Sequence, residues 1–255
     1  MSGISSFPWI IAHRGASRDR PENTIAAFDE ALCQGAGGIE LDVQLSRDEV
    51  PVVYHDKTLT RAGGGRKRVA GLNWDELREL DAAFRFGSGI PRQQIPSLEE
   101  VLARYGGRTR LLVEIKTREG AEGHDRHIRL ARAVAAMVEA MGLVNNVLLL
   151  SFDPDVLDAC AERAPRIGRV LTLKPPHRLH PALAGRLSGL FALSTDIRTL
   201  TAAFAGAVRR AGRPLLTYTC NTKATVRRAV RAGALGVMSD RPGWLAETVR
   251  SLHEA

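Results

Sequence analysis

Glu40 and Asp42 lie two residues apart in Gly38-Ile39-Glu40-Leu41-Asp42-Val43. Side chains alternate across a strand, so the two acids share one face while Ile39, Leu41 and Val43 share the other. At about 4 Å apart and an effective dielectric near 20, two carboxylates repel by roughly 4 kcal/mol, so a buried pair must be neutralised. The run Leu111-Leu112-Val113-Glu114-Ile115-Lys116 repeats the pattern, with Glu114 and Lys116 in phase. Three carboxylates on one inward face suit a hard divalent cation, Mg²⁺ or Ca²⁺. A structural ion-pair network using Lys116 and Arg14 is the alternative. His13 ends an apolar run and is followed by Arg14-Gly15, while His55 closes Val50-Pro51-Val52-Val53-Tyr54. Two histidines at one mouth could serve as acid and base, and the Arg14 fork suits a phosphate.

These residues need a frame. Short Val, Ile and Leu runs alternate with helical patterns along the chain, as repeated βα units around a parallel sheet do. Strands are expected at Trp9–His13, Gly38–Val43, Leu111–Lys116, Val147–Ser151, Ile167–Leu173, Leu190–Ser194, Leu215–Cys220 and Leu235–Ser239. Helices are expected at Thr24–Cys33, Leu98–Arg104, His127–Met141, Pro154–Arg163, Leu179–Leu187, Thr201–Ala211, Ala224–Arg231 and Gly243–Leu252, with Asn23, Asp153 and Thr222 as N-caps. Eight units in 255 residues fit one (β/α)₈ barrel over 1–255. The alternation alone leaves a doubly wound open sheet as the alternative. In a barrel the acids would face inward at the strands' C-terminal ends, where such enzymes keep their chemistry.

Val50–His55 follows the acidic strand too closely for a parallel crossover, which needs about a dozen residues. It is expected to return antiparallel through a two-residue turn at Arg47-Asp48, pairing residues whose numbers sum to 95 and setting His55 opposite Glu40. Residues 57–95 form an insertion after this hairpin, with a short helix at Trp74–Asp81. Its Gly63–Gly65 and Arg66–Arg68 suggest a mobile, basic flap.

Composition narrows the function classes. Cys33, Cys160 and Cys220 form no C-x-x-C pair, so neither a disulfide framework nor a zinc site is indicated. No basic, apolar leader opens the chain and no run approaches a membrane span, which points to a cytoplasmic protein without stable membrane association. The net charge of +8 raises nucleic acid as a partner. Scattered arginines and 5% aromatic residues argue against that and for attraction of small anions. His124, His127, His177, His180 and His253 are read as structural or surface residues, Asp240 as a cap after the last strand, and Asp56 as a turn residue.

Together these segments resemble the glycerophosphodiester phosphodiesterase family. The matching text is Ala12-His13-Arg14-Gly15, Pro21-Glu22-Asn23-Thr24, Glu40-Leu41-Asp42-Val43, Val52-Val53-Tyr54-His55-Asp56 and Ile95-Pro96-Ser97-Leu98-Glu99-Glu100-Val101-Leu102. It continues with Glu114-Ile115-Lys116, Ser151-Phe152, Tyr218-Thr219 with Asn221, and Ser239-Asp240-Arg241-Pro242. The resemblance implies that Glu40, Asp42 and Glu114 hold one divalent cation, Mg²⁺ or Ca²⁺. It implies that His13 and His55 are the catalytic pair and that Arg14 and Lys116 contact the phosphate. The implied reaction is hydrolysis of a small-molecule glycerophosphodiester to sn-glycerol 3-phosphate and an alcohol. From position alone, His13, beside the metal acids and Arg14, is expected as the base, and His55, on the returning limb of the hairpin, as the acid. A phospholipid or lysophospholipid phosphodiesterase on the same barrel is one rival. A non-catalytic phosphate-ligand binder is another, although binding alone requires no histidine pair.

Overall fold

A computed structural model describes residues 8–87, 89–117, 123–174 and 185–254. Its strands are β1 (Trp9–His13), β2 (Gly38–Leu45), β3 (Pro51–Val53), β4 (Arg110–Ile115), β5 (Val147–Ser151), β6 (Gly168–Leu173), β7 (Ala192–Asp196), β8 (Leu215–Tyr218) and β9 (Gly236–Ser239). Eight are parallel, in the order β1-β9-β8-β7-β6-β5-β4-β2, and pairing of β1 with β2 closes them into a (β/α)₈ barrel. The open-sheet alternative is thereby excluded. The helices are α1 (Ile25–Cys33), α2 (Trp74–Arg78), α3 (Leu98–Tyr105), α4 (His124–Ala140), α5 (Pro154–Arg163), α6 (Ala202–Arg210), α7 (Lys223–Arg231) and α8 (Pro242–His253). The helix expected at Leu179–Leu187 lies largely outside the described residues, as do His177 and His180.

Strand alternation divides the core in two. Ile39, Leu41 and Val43 of β2 and Val113 and Ile115 of β4 pack outward against Val101, Leu102, Leu130 and Val134 on the surrounding helices. Ile11, Leu112, Leu148, Leu150, Val170, Leu216 and Met238 pack in a separate apolar cluster. Leu112 precedes Glu114 by two residues on β4, so this cluster is the floor beneath the inward acid.

The hairpin differs from expectation by one residue. β2 and β3 pair Val43 with Val53, Gln44 with Val52 and Leu45 with Pro51, so paired numbers sum to 96. Three residues, Arg47 to Glu49, make the turn, with Ser46 and Val50 bonded through their backbones at 2.9 Å and Glu49 left-handed at φ 63°. Such a third turn residue is ordinarily glycine, and Glu49 gave no sign of it. The slip would turn His55 away from the mouth, but the β-ladder ends first. After Tyr54 N donates to Asp42 O the chain bends. Gln44 Nε2 donates to Tyr54 O at 2.7 Å and to Asp56 O at 3.0 Å, gripping the carbonyls on both sides of His55.

Part of the insertion packs on the hairpin, while Gly65 to Arg68 are exposed. Leu59, Ala62, Val69, Leu72, Leu77 and Ile95 bury against Val52 and Tyr54 of the returning limb. Gly63 is left-handed at φ 79°, and a Cβ on Gly64 would lie 2.7 Å from Leu59 Cβ, so this turn packs closely. Arg47 ties the hairpin to the insertion through Asn73 and Glu76. Among the described residues no helix is long and apolar enough to cross a membrane.

Candidate active site

The C-terminal ends of β1, β2 and β4 converge on one acidic cluster. Glu40, Asp42 and Glu114 each place a carboxylate oxygen within 4.8 Å of the others. Glu40 and Asp42 are buried, and the β2–β4 register pairs Asp42 directly with Glu114. Lys116 Nζ lies 2.7 Å from Asp42 Oδ1 and 2.5 Å from Glu114 Oε1. Arg14 Nε lies 3.2 Å from Asp42 Oδ2 without hydrogen-bonding geometry, and Arg14 Nη1 donates to Glu22 at 3.1 Å.

The loop after β1 is bent to reach this cluster. Arg14 and Asn23 are left-handed at φ 60° and 58°, sparsely populated for residues with a side chain. Gly15 has φ 81°, and a Cβ there would sit 2.7 Å from Ala27, so only glycine lets this loop lie on α1. Arg14 N donates to Glu40 O and Oε2. Asn23 is not the N-cap of α1; Thr24 is, accepting from Ala27 N. Asn23 instead clasps Asp42, donating from Nδ2 to Oδ2 at 2.9 Å and accepting the Asp42 backbone N–H at 3.2 Å.

The electrostatics of the acids diverge. Burial opposes ionisation of Asp42, yet Lys116, Arg14 and His55 outweigh it and hold this carboxyl far below the usual range. Glu40 goes the other way: burial, then Asp42 and Glu114, push it well above its ordinary value despite Arg14 and Lys116. Two cations thus face three carboxylates. The ion-pair network weighed from sequence is present. The donor set is all oxygen, as hard divalent cations require, and the three carboxylates lie close enough to share one. Glu22, His55 and Asp56 form a second close group, but Glu22 and Asp56 are already engaged by Arg14, Arg61 and His55.

Each histidine is fixed by a carboxylate. His13 Nδ1 lies 2.7 Å from Asp240 Oδ1, and Asn221 Nδ2 donates to Asp240 Oδ2 at 2.6 Å. Burial would raise Asp240, but its bonds to His13 and Asn221 bring it below the usual range. Asp240, expected from sequence to be a cap, is a partner of His13. The His13 ring stacks on Tyr218, centroids 6.4 Å apart. His55 Nδ1 lies 2.8 Å from Asp56 Oδ1. Burial lowers the His55 pKa, and Asp56 only partly opposes this. Both histidines, with Arg14, Glu40, Glu114, Lys116, Phe152, Thr172, Ser194 and Tyr218, line one cavity of about 130 Å³. The structure therefore gathers His13, His55, Arg14, Glu40, Asp42, Glu114 and Lys116 at one barrel mouth.

Comparison with known proteins decides the family. The model of the glycerophosphoryl diester phosphodiesterase family matches residues 13–244. The chain belongs to that family. A glycerophosphodiester phosphodiesterase of Caldanaerobacter subterraneus subsp. tengcongensis is 32% identical over 243 residues, 94% of this chain and 97% of that one. The crystal structure of glycerophosphodiester phosphodiesterase from Agrobacterium tumefaciens strain C58 is 30% identical with a TM-score of 0.77, covering 93% of this chain and 98% of that one. An Oleispira antarctica phosphodiesterase, solved in complex with the product sn-glycerol-3-phosphate, is 27% identical with a TM-score of 0.81, covering 96% of this chain and 98% of that one. The chain is an enzyme of the glycerophosphodiester phosphodiesterase class.

Sequence reasoning gave no site role to Gln44, Asn23, Asp56, Asn221 or Asp240, although the resemblance motifs contain all but Gln44. His124 and His127 lie in the first turn of α4. His124 comes only within 3.9 Å of Asp153, and His127 is buried, in keeping with structural roles.

Proposed function

We propose that this glycerophosphodiester phosphodiesterase cleaves glycerophosphodiesters to sn-glycerol 3-phosphate and the free alcohol, the whole chain acting as one domain. The observation that carries this reading is the joint presence, around one cavity, of two carboxylate-held histidines and a three-carboxylate cluster. Glu40, Asp42 and Glu114 would hold one divalent cation, Mg²⁺ or Ca²⁺. When bound, that cation supplies charge to the phosphoryl oxygens and acidifies an oxygen nucleophile. Arg14 and Lys116, both at the edge of the cluster and lining the cavity, bind the phosphate.

His13 and His55 carry the protons. Each ring is held through Nδ1, which leaves Nε2 as the nitrogen for transfer to substrate. Burial keeps His55 below the usual histidine range, so it is neutral at about pH 7, as a base must be. This favours His55 as the base and His13 as the acid, the reverse of the order expected from sequence. Asp240 then fixes the His13 ring through Nδ1.

The test is a panel of glycerophosphodiesters with coupled detection of sn-glycerol 3-phosphate, using protein stripped by chelator and then given Mg²⁺ or Ca²⁺. Turnover should vanish on stripping and return with at least one ion. Undiminished turnover in chelator would remove the cation from the reading. Failure to release sn-glycerol 3-phosphate with either ion would remove the reaction.

A further inference from the structure

Arginines are spread along the whole chain, but their excess over acids is not. Eight of the 36 basic residues lie between Asp196 and Asp240, a stretch without Asp or Glu, and the remaining 28 match the 28 acids. The whole net charge of +8 is therefore carried by the segment that forms α6, β8, α7 and β9.

Four of these cations converge. α6 and α7 flank a groove of about 540 Å³, with Leu200, Ala205 and Ala232 on its apolar wall and Arg209, Arg227, Arg228 and Arg231 around it. None of its lining residues lines the catalytic cavity. None of the four arginines forms an ion pair among the described residues. By contrast, α4 and α5 are bridged by Arg132 and Glu162 at 3.2 Å and by Arg163 and Glu139 at 2.7 Å. On α7, Lys223, Arg227 and Arg231 follow at four-residue spacing, a row of like charges that destabilises an isolated helix. The helix dipole favours cations in the last turn, which accounts for Arg209, Arg228 and Arg231. It does not account for Arg227, nor for the lack of any acid opposite them.

An anion completes such a groove, and its class can be narrowed. Guanidinium forks take phosphate or carboxylate oxygens in pairs. A terminal phosphoryl group brings up to about two negative charges, whereas an acidic residue brings one, so phosphate better matches four cations around one small space. The volume is ordinary for a small-molecule site. No aromatic residue lines the groove, which disfavours single-stranded nucleic acid. The charges line a concavity, and the exposed large apolar residues, Phe84 and Phe86, lie in the insertion, which disfavours a membrane surface. We infer that the α6–α7 groove is a second anion site, for a small molecule bearing several adjacent phosphoryl groups, held by Arg209, Arg227, Arg228 and Arg231. The inference is independent of the hydrolysis reading.

The probe is inorganic tripolyphosphate, titrated calorimetrically into the full chain at low salt in chelator, beside orthophosphate. Two double variants remove equal charge: Arg227→Gln with Arg231→Gln in the groove, and Arg66→Gln with Lys67→Gln, both exposed in the insertion. Glutamine has nearly the helix propensity of arginine, and a thermal melt checks each fold. Wild type should bind tripolyphosphate saturably and at least about tenfold more tightly than orthophosphate. The groove variant should weaken it by about tenfold or more, and the insertion variant by less than about twofold. Arg209→Gln, on the other helix, should act in the same direction as the groove variant. Unchanged affinity in the groove variants overturns the site, and so does equal loss in both double variants, which would show that only net charge is felt. Equal affinity for orthophosphate overturns the ligand class. Groove-dependent binding of phosphatidylglycerol vesicles or of a single-stranded oligonucleotide, without binding of tripolyphosphate, overturns the assignment in favour of a membrane or a nucleic acid.

Discussion

Asp240→Asn isolates the role of the His13 partner with little change of shape. Both oxygens of Asp240 accept a hydrogen bond, from His13 Nδ1 at 2.7 Å and from Asn221 Nδ2 at 2.6 Å. An asparagine has one acceptor and one donor group to offer those two donors. The Asn221 amide is itself committed, because its Oδ1 accepts from Ser239 Oγ at 2.8 Å and Asp240 N at 3.0 Å. The introduced side chain must therefore keep its oxygen toward Asn221 and turn its NH₂ toward His13. His13 then moves its proton from Nδ1 to Nε2 and loses the carboxylate beside its ring. Loss of one acid–base contribution corresponds to about 10²–10⁴-fold in kcat, or roughly 3–5 kcal/mol of barrier. Fold stability should fall by only about 1.5–3 kcal/mol, the cost of one charge-assisted hydrogen bond. Steady-state kinetics on a glycerophosphodiester, with a thermal melt on the same preparation, measure both. A folded Asp240→Asn protein whose kcat stays within about threefold of wild type would refute the account of His13.

The two histidines should separate when the leaving group no longer needs a proton. On a nitrophenyl diester His13→Ala should lose far less than on glycerophosphocholine, while His55→Ala should fall by about 10²–10⁴-fold on both; rescue of His55→Ala instead would exchange the roles. His55 also makes a linkage prediction. Its folded pKa lies below the unfolded value of about 6.5, so the unfolded chain binds more protons in that window, and the His55 contribution is full above about pH 6.5 and lost as pH falls toward the folded value. Urea unfolding of wild type and His55→Gln in chelator should thus show a wild-type advantage that shrinks on acidification; one that grows would contradict the burial of a neutral ring. Thr172→Val deletes a buried hydroxyl without a partner among the described residues, so stability should be unchanged or rise by up to about 1 kcal/mol. A loss above about 2 kcal/mol would mean that the hydroxyl is bonded in solution.

What the sequence disclosed and what it withheld have physical causes that particular elements show. Trp9–His13, Val147–Ser151 and Pro154–Arg163 begin and end where expected, because burial and capping leave local patterns. Glu40, Asp42, Glu114 and Lys116 were legible for the same reason: alternation along one strand fixes their phase. The hairpin register was not, because left-handed Glu49 replaces the glycine that would have announced a three-residue turn. Asn23 was misassigned because asparagine is as good an N-cap as threonine, and its bond to Asp42 spans a loop and a strand.

The partners of the histidines lie beyond local pattern, yet they follow from closure of the barrel. β1 and β9 are far apart in the chain, and nothing near His13 hints at Asp240, 227 residues away. Once the barrel closes, Ala12 pairs with Ser239. The next residue on each strand is then His13 and Asp240, which leave the ladder side by side at the mouth. The same closure pairs His13 with Glu40 across β1 and β2, and β2 pairs Asp42 with Glu114. One register thus carries the histidine from its carboxylate partner on one side to the acidic cluster on the other. A deletion of one residue in β1 ahead of His13 would break both relations at once, whereas the alternation of β2 and β4 would survive it. The His13–Asp240 pair is therefore a consequence of ring closure, and the acidic cluster a consequence of strand phase.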